Sequence, residues 1–307
     1  MRIGLIDVDS RKGFPNIALM KLSAWHKAAG DHVEWYMPFG ERYDRVYMSK
    51  VFSFSPDYDF AINANEVVRG GTGYEITVEG GKEIYSPSGI TLPNEVEHTY
   101  PDYDLYKITD TAYGFLSRGC PRGCDFCIVA KKEGKASHKV AVLSEFWRGQ
   151  KNIVLCDPNI LACSDWRDLL SQLADSKAKV DINQGLDARL LTADKIRALN
   201  RIRLANVHFA WDRYCDKDVI IPKLELYSRL AKNKPHGNWA TVYVLCNYDS
   251  TLEEDLERIY TLRDMGYMPY VMIYQKDTAP RVYRQLQRYV NNKIIFKSCT
   301  NFDSYVR

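Results

Sequence analysis

The sequence predicts an α/β protein in two parts, a small open sheet followed by a longer run of strand–helix units forming a partial barrel. Three observations carry this. Apolar, strand-like runs recur at 111–116, 151–156, 180–183, 206–211, 240–246 and 268–274. Helical patterns with start signals lie between them. A shorter strand–helix–strand–strand alternation fills the first 64 residues, and a Gly- and Pro-rich stretch separates it from the longer run.

In chain order, residues 2–8 read as a buried strand. Asp9 to Gly13 is a turn. Pro15 opens a helix with apolar positions at Ile17, Met20, Ala24, Trp25 and Ala28, and Gly30 ends it. Further strands are expected over 33–36 and 58–63, which makes a small Rossmann-like open α/β domain. Residues 70–106 carry Gly70-Gly71-Thr72-Gly73, Gly80-Gly81, Pro87, Pro93 and Pro101. They read as a linker with one hairpin around Tyr74 to Ile84, so the first domain with its linker spans 1–106. Gly-Gly-Thr-Gly suits a phosphate cradle in composition, but no Lys-Ser/Thr comes after it, and a bare turn is the favoured reading.

Beyond residue 107 the rhythm is regular. Ser164 precedes Trp166, Leu169, Leu170 and Leu173. Thr192 precedes Ile196, Leu199 and Ile202. Thr251 and Glu254 make a capping box ahead of Leu252, Leu256, Ile259 and Leu262, and Gly266 stops that helix. Helices are also expected over 140–148, 222–232 and 280–291. This alternation implies parallel pairing, and six strands are two short of a closed eight-stranded barrel. The expected architecture is a partial (β/α)6 TIM-like barrel over 107–291, with a tail over 292–307 placed to cover its cavity. Such units put chemistry at the carboxyl ends of the strands. Those ends read Cys156-Asp157-Pro158-Asn159, Asn183-Gln184-Gly185-Leu186-Asp187-Ala188-Arg189, Asp212-Arg213, Asn247-Tyr248-Asp249 and Gln275-Lys276-Asp277.

Composition narrows the function classes. Of 307 residues, 46% are apolar and 26% charged, as in an ordinary globular protein. A net charge of +3 is too small to argue for nucleic acid by itself. No apolar run of about 18 residues occurs, so no spanning helix and no membrane partner are expected. The first residues, Met1 to Asp7, meet acid too early for a secretory segment, which points to the cytoplasm and reduced thiols. There, eight cysteines read first as metal or catalytic groups.

Three of them fall in one loop. After the apolar run ending at Leu116 comes Ser117-Arg118-Gly119-Cys120-Pro121-Arg122-Gly123-Cys124-Asp125-Phe126-Cys127, a Cys-x3-Cys-x2-Cys spacing. Structural zinc wants four closed ligands. Only Cys124 and Cys127 have knuckle spacing, and His138 sits beyond the basic stretch Lys131 to Lys135. An internal disulfide would leave an odd thiol. An iron–sulfur cluster with one iron left open fits better. Cys156 and Cys246 read as core residues, Cys163 and Cys215 as loop residues, and Cys299 as a tail thiol more incidental than chemical.

With its position after a strand that opens six β-α units, and with Phe126 before the last cysteine, this loop resembles the radical S-adenosylmethionine (SAM) superfamily over about residues 110–291. The resemblance implies a 4Fe-4S cluster on Cys120, Cys124 and Cys127. It implies S-adenosyl-L-methionine on the fourth iron, and an electron donor such as flavodoxin or ferredoxin. The electron would cleave SAM to methionine and a 5′-deoxyadenosyl radical that takes hydrogen from substrate. Asp157 and Asn159 stand where family members hold the SAM amino group or ribose, although the family's Gly-Gly-Glu is absent. Gln184, Asp187, Arg189 and Asp212 are candidates for ribose or substrate contact, and the segment through Asn247 resembles the strand that runs near adenine. For each, a cap or ion pair is an equal reading, and Arg189 as a carboxylate fork is of most interest.

The first domain resembles the cobalamin-binding-like domain that precedes one subgroup of that superfamily. Its ligating Asp-x-His-x-x-Gly loop reads Asp7-Val8-Asp9-Ser10-Arg11-Lys12-Gly13 here, without histidine. Cobalamin is therefore the less favoured cofactor. Two alternatives remain open. One is a cobalamin-dependent or methylthio radical transferase acting on RNA or a peptide, the methylthio form disfavoured by the lack of a second cysteine triad. The other is a zinc-stabilised nucleic-acid module using Lys131, Lys132, Lys135 and Lys139. Nothing in the rim names a small molecule, peptide or RNA as the substrate.

Overall fold

The computed structural model describes residues 1–10, 13–79, 82–236 and 239–306. Arg11-Lys12 of the first turn and the Gly80-Gly81 pair lie outside the described residues. The chain divides into two compact units, Met1–Gly114 with Ser144–Gln150, and Phe115–Leu143 with Lys151–Arg307. Parallel sheets and interleaved helices make the fold α/β, as expected.

In the first unit, strands β1 (Arg2–Asp7), β2 (His32–Trp35), β3 (Tyr43–Ser49) and β4 (Ala64–Gly70) form a parallel sheet in the order β2-β1-β3-β4. Helix α1 (Ile17–Ala28) begins after Asn16, whose side chain accepts from the Leu19 amide. Leu19 and Leu22 then pack with Ile3, Leu5 and Val96. The strand expected over 58–63 is not there. Tyr58 and Phe60 instead meet ring to ring, with Phe60 76% exposed. The sheet is completed by β3 and β4, whose alternation is masked by charges that pair across the sheet, as Arg45 does with Glu66. The expected hairpin is present as β5 (Ile76–Glu79) against β6 (Lys82–Tyr85). In Gly70-Gly71-Thr72-Gly73, a side chain at Gly71 or Gly73 would collide with backbone at Lys50 and Phe52, and the Gly73 amide donates to Lys50 O at 2.9 Å. Those glycines serve close packing of a turn. Helix α2 (Asn94–Glu97) and strand β7 (Thr111–Gly114) complete the unit.

In the second unit, β8 (Ser117–Arg118) pairs antiparallel with β9 (His138–Lys139), and the cysteine loop and α3 (Val129–Lys132) lie between them. The chain then alternates β10 (Asn152–Leu155), α4 (Trp166–Asp175), β11 (Lys179–Ile182), α5 (Ala193–Leu199), β12 (Val207–Ala210), α6 (Lys217–Leu230), β13 (Ala240–Cys246), α7 (Leu252–Asp264), β14 (Met268–Ile273) and α8 (Arg281–Asn291). β10 pairs parallel with β11, and β12 with β13 and β14. Isolated parallel bridges Val180↔Leu204 and Leu186↔Phe209 join the two sets. Five parallel strands thus lie in chain order. The Thr251–Glu254 capping box is formed in full, and Thr192 caps α5 by accepting from Lys195.

Two helices differ from expectation. Only a 3-10 turn, Leu143–Glu145, stands within 140–148. The amides of Val140 and Leu143 donate instead to Leu116 O and the Gln172 side chain, both at 2.8 Å. α6 begins at Lys217 and carries Pro222 in its interior. In the tail, α9 (Lys293–Ser298) and α10 (Phe302–Val306) bring Phe296 and Phe302 onto Tyr289 of α8, while the Phe302 amide donates to Tyr260 of α7. Among the described residues no helix is long and apolar enough to cross a membrane.

Candidate functional site

The cysteine loop is shaped by its glycines and by one buried carboxylate. Gly119 (φ +85°) and Gly123 (φ +58°) both adopt backbone that L side chains avoid, and a side chain at Gly119 would strike the Ala136 carbonyl. The Cys120 amide donates to Gly134 O at 3.1 Å and the Cys127 amide to Cys124 O at 3.0 Å. Below the loop, fully buried Asp157 accepts from the amides of Leu116 (2.8 Å) and Ser117 (2.6 Å) and from the Ser117 hydroxyl (2.5 Å). Burial pushes its carboxyl up to about 7 against those three donors. Its oxygens are spent on fixing where the loop leaves the strand.

All three loop thiols are free and half-buried. Burial raises the Cys124 thiol. The Arg189 guanidinium opposes the rise, and Cys127, Asp212 and Cys120 add to it. Cys127 is likewise raised by burial, with the Val129 backbone opposing and Cys120, Asp212 and Glu133 reinforcing. The thiols therefore share one electrostatic neighbourhood, in which bringing up a cation would relieve Cys124 and Cys127 alike. Among the described residues, no three His, Cys, Asp or Glu side chains are drawn together as a finished metal site. The donor type and the shared field suit an iron–sulfur group, and so does Asn159. Its Nδ2 lies 3.5 Å from Cys120 Sγ and 3.5 Å from Asp187 Oδ2, while its Oδ1 is buried without a hydrogen-bond partner. Amide donors of this kind tune cluster sulfurs.

A chain of ion pairs runs from the loop. Arg122 Nε donates to Asp187 Oδ2 at 2.6 Å, Arg189 Nε to Asp187 Oδ1 at 2.8 Å, and Arg189 Nη1 to Asp216 Oδ2 at 3.0 Å. Burial raises the Asp187 carboxyl, but hydrogen bonds from Arg189 and Arg122 outweigh that and hold it below the usual carboxylate range. Asp212 carries no hydrogen bond among the described residues, and burial pushes it up to about 6 against Arg189 and Arg258. Phe126 meets the Tyr248 ring edge to face at 4.9 Å.

Of the residues expected from sequence, Asn159, Asp187, Arg189 and Asp212 gather about the thiols. Gln184 is exposed. Asn247 (φ +63°) sits in a turn, its Nδ2 donating to Tyr274 O at 3.0 Å and its amide to Asp255. Cys156 and Cys246 are buried, as their apolar strands implied. Sequence reasoning passed over Arg122 and Asp216, which complete the ion-pair chain, and the buried pair Asp255–Arg258. From the latter, Arg258 Nη1 donates to Trp211 O and Nη2 to Leu245 O (2.8 Å). An Asp-x-x-Arg on a helix looks like a surface pair. The one signal against that is Arg258's position between Leu256 and Ile259, on the apolar side of α7.

The site defines the chain as an α/β protein with a three-thiol loop entering a set of parallel strands. Among known proteins, no family model matches it. It is similar to a CDK5RAP1-like protein of Oryza sativa subsp. japonica, 32% identical over 90 residues, which is 26% of this chain and 15% of that protein.

Proposed function

We propose that the protein is a radical SAM enzyme. The observation that carries this reading is the loop itself: three free thiols in Cys-x3-Cys-x2-Cys spacing, electrostatically coupled to one another and to Arg189 and Asp212. The partial similarity to a CDK5RAP1-like protein, from a family of radical SAM enzymes, adds coarse support. A partial barrel of the parallel strands would suit the same reading. When bound, a 4Fe-4S cluster supplies the electron that cleaves SAM to methionine and a 5′-deoxyadenosyl radical, which takes hydrogen from substrate.

The chain's own residues hold and orient. Cys120, Cys124 and Cys127 would ligate the cluster and leave one iron for the amino and carboxylate groups of SAM. Asn159 donates toward Cys120, and Arg122 with Asp187 restrains the loop. Asp157 stands as a support of the loop, and Asp212 offers an acceptor that no protein group among the described residues uses. Cobalamin is the less favoured cofactor, because the loop after β1 lacks histidine and Asp7 and Asp9 there are taken up by Tyr106, Ser55 and Val51.

The test is anaerobic reconstitution with iron and sulfide, then a SAM-cleavage assay. The expected result is about four irons per chain, with cleavage that is lost when any one of Cys120, Cys124 or Cys127 becomes Ala. Stoichiometric zinc, or cleavage surviving in those variants, would overturn the reading.

A further inference from the structure

The parallel strands of the second unit have two unlike faces. On one, Ile153, Val180, Phe209, Val242 and Val271 are completely buried. On the other, four successive strands present Asp181 (β11), His208 (β12), Tyr243 (β13) and Tyr270 (β14). These form one continuous row. His208 Nε2 lies 3.7 Å from Asp181 Oδ1, too far for a hydrogen bond. The His208 ring stacks on Tyr243 at 5.5 Å and 7°, and Tyr243 meets Tyr270 edge to face at 5.8 Å. Tyr270 is 44% exposed, so the row ends in the open.

A parallel sheet normally carries aliphatic side chains on both faces. Here one face holds a carboxylate, an imidazole and two phenol rings. Two of its polar atoms, Asp181 Oδ1 and His208 Nδ1, are buried without a hydrogen-bond partner. Leaving such atoms unsatisfied is costly, so they mark a place where a partner is expected. Among the described residues no base neutralises Asp181. Burial lowers His208 below its ordinary value, with the Asp181 carboxyl opposing. Lys179, two residues earlier on the strand, is exposed, and no ion pair joins it to Asp181 among the described residues. An uncompensated carboxylate beside aromatic rings is complementary to a cation, which the acid pairs with and the ring faces attract.

We propose that this row binds a positively charged nitrogen group of the substrate, an amine or guanidinium, with Asp181 as its acceptor and the tyrosine rings as its wall. The proposal rests on the radical SAM reading only in calling the bound molecule a substrate. The binding itself needs no cluster. Two sources offer the same chemistry, a free amine and a lysine or arginine side chain of a peptide.

The test is calorimetric titration of the full chain with n-butylamine and n-butylguanidine, with neutral n-butanol as control. Nα-acetyl-lysine and Nα-acetyl-arginine N-methylamides form the peptide arm. The cations are expected to saturate the protein at least about tenfold more tightly than the alcohol. Asp181→Asn should remove that advantage, and Tyr270→Ala, a change at an exposed ring, should weaken it several-fold. Preference for the amides over the free amines assigns the peptide source, and the reverse assigns a small molecule. Equal binding of amine and alcohol, no binding of any probe, or an undiminished advantage in a folded Asp181→Asn protein would each overturn the proposal. SAM cleavage measured on the same preparations separates the two readings. Cleavage without cation preference sinks this inference alone, and cation preference without cleavage sinks the radical SAM reading alone.

Discussion

Arg122, in the middle of the cysteine loop, donates from Nε to Asp187 Oδ2 at 2.6 Å, which ties the loop to the segment after β11. Asp187 is almost wholly buried and also receives Arg189. One carboxylate therefore holds two guanidinium groups, one on the loop and one beside it. Removing one charge of a buried, hydrogen-bonded set leaves its partners uncompensated.

Asp187→Asn should accordingly cost about 1–3 kcal/mol in urea denaturation, and should lower the iron bound per chain on reconstitution, because Arg122 no longer fixes the loop. Arg122→Ala, at a more exposed side chain, should reduce iron loading with a smaller loss of stability. Full loading in both variants would remove any positioning role from this pair.

The two loop glycines offer a sharper contrast. Gly119 and Gly123 both have positive φ, but only at Gly119 would a side chain collide with backbone, at Ala136. A Cβ added at Gly123 would meet nothing within 4 Å beyond its chain neighbours. Gly123→Ala should cost about 1 kcal/mol from the left-handed backbone alone and keep iron loading. Gly119→Ala should cost more and lose it, because the loop must shift away from the Ala136 carbonyl. Thermal melts and iron analysis of both variants check this, and equal behaviour would refute it.

The same residues show what the sequence could convey. Capping boxes and apolar runs are local, so the Thr251–Glu254 box and the strand runs from Asn152 to Ile273 stand where their residues imply. β3 and β4 were hidden because Arg45 and Glu66 neutralise each other across the sheet, a pairing of residues far apart in sequence. The apolar residues of 140–148 suggest a helix, but their amides are claimed by Leu116 and Gln172, which no local pattern reveals. The cysteine loop was legible from spacing. The Asp181–His208–Tyr243–Tyr270 row was not, because polar residues inside strands look like ordinary alternation until the pairing places them side by side.

Asp157 gives a pH dependence with a definite sign. Burial pushes its carboxyl up to about 7, whereas an ordinary aspartate ionises near 3.8. The folded chain therefore binds the proton more tightly than the unfolded chain. The stability it contributes is complete below the unfolded value and is lost as pH rises through the folded one. Urea midpoints, measured between about pH 4 and 8, should fall across that window. Asp157→Asn does not titrate, and it has one acceptor oxygen where the Leu116 and Ser117 amides now use two. It should be less stable than the native chain at low pH, with a flatter profile, so that the difference between the two proteins narrows as pH rises. Parallel profiles would show that Asp157 is ionised throughout, held so by its three donors.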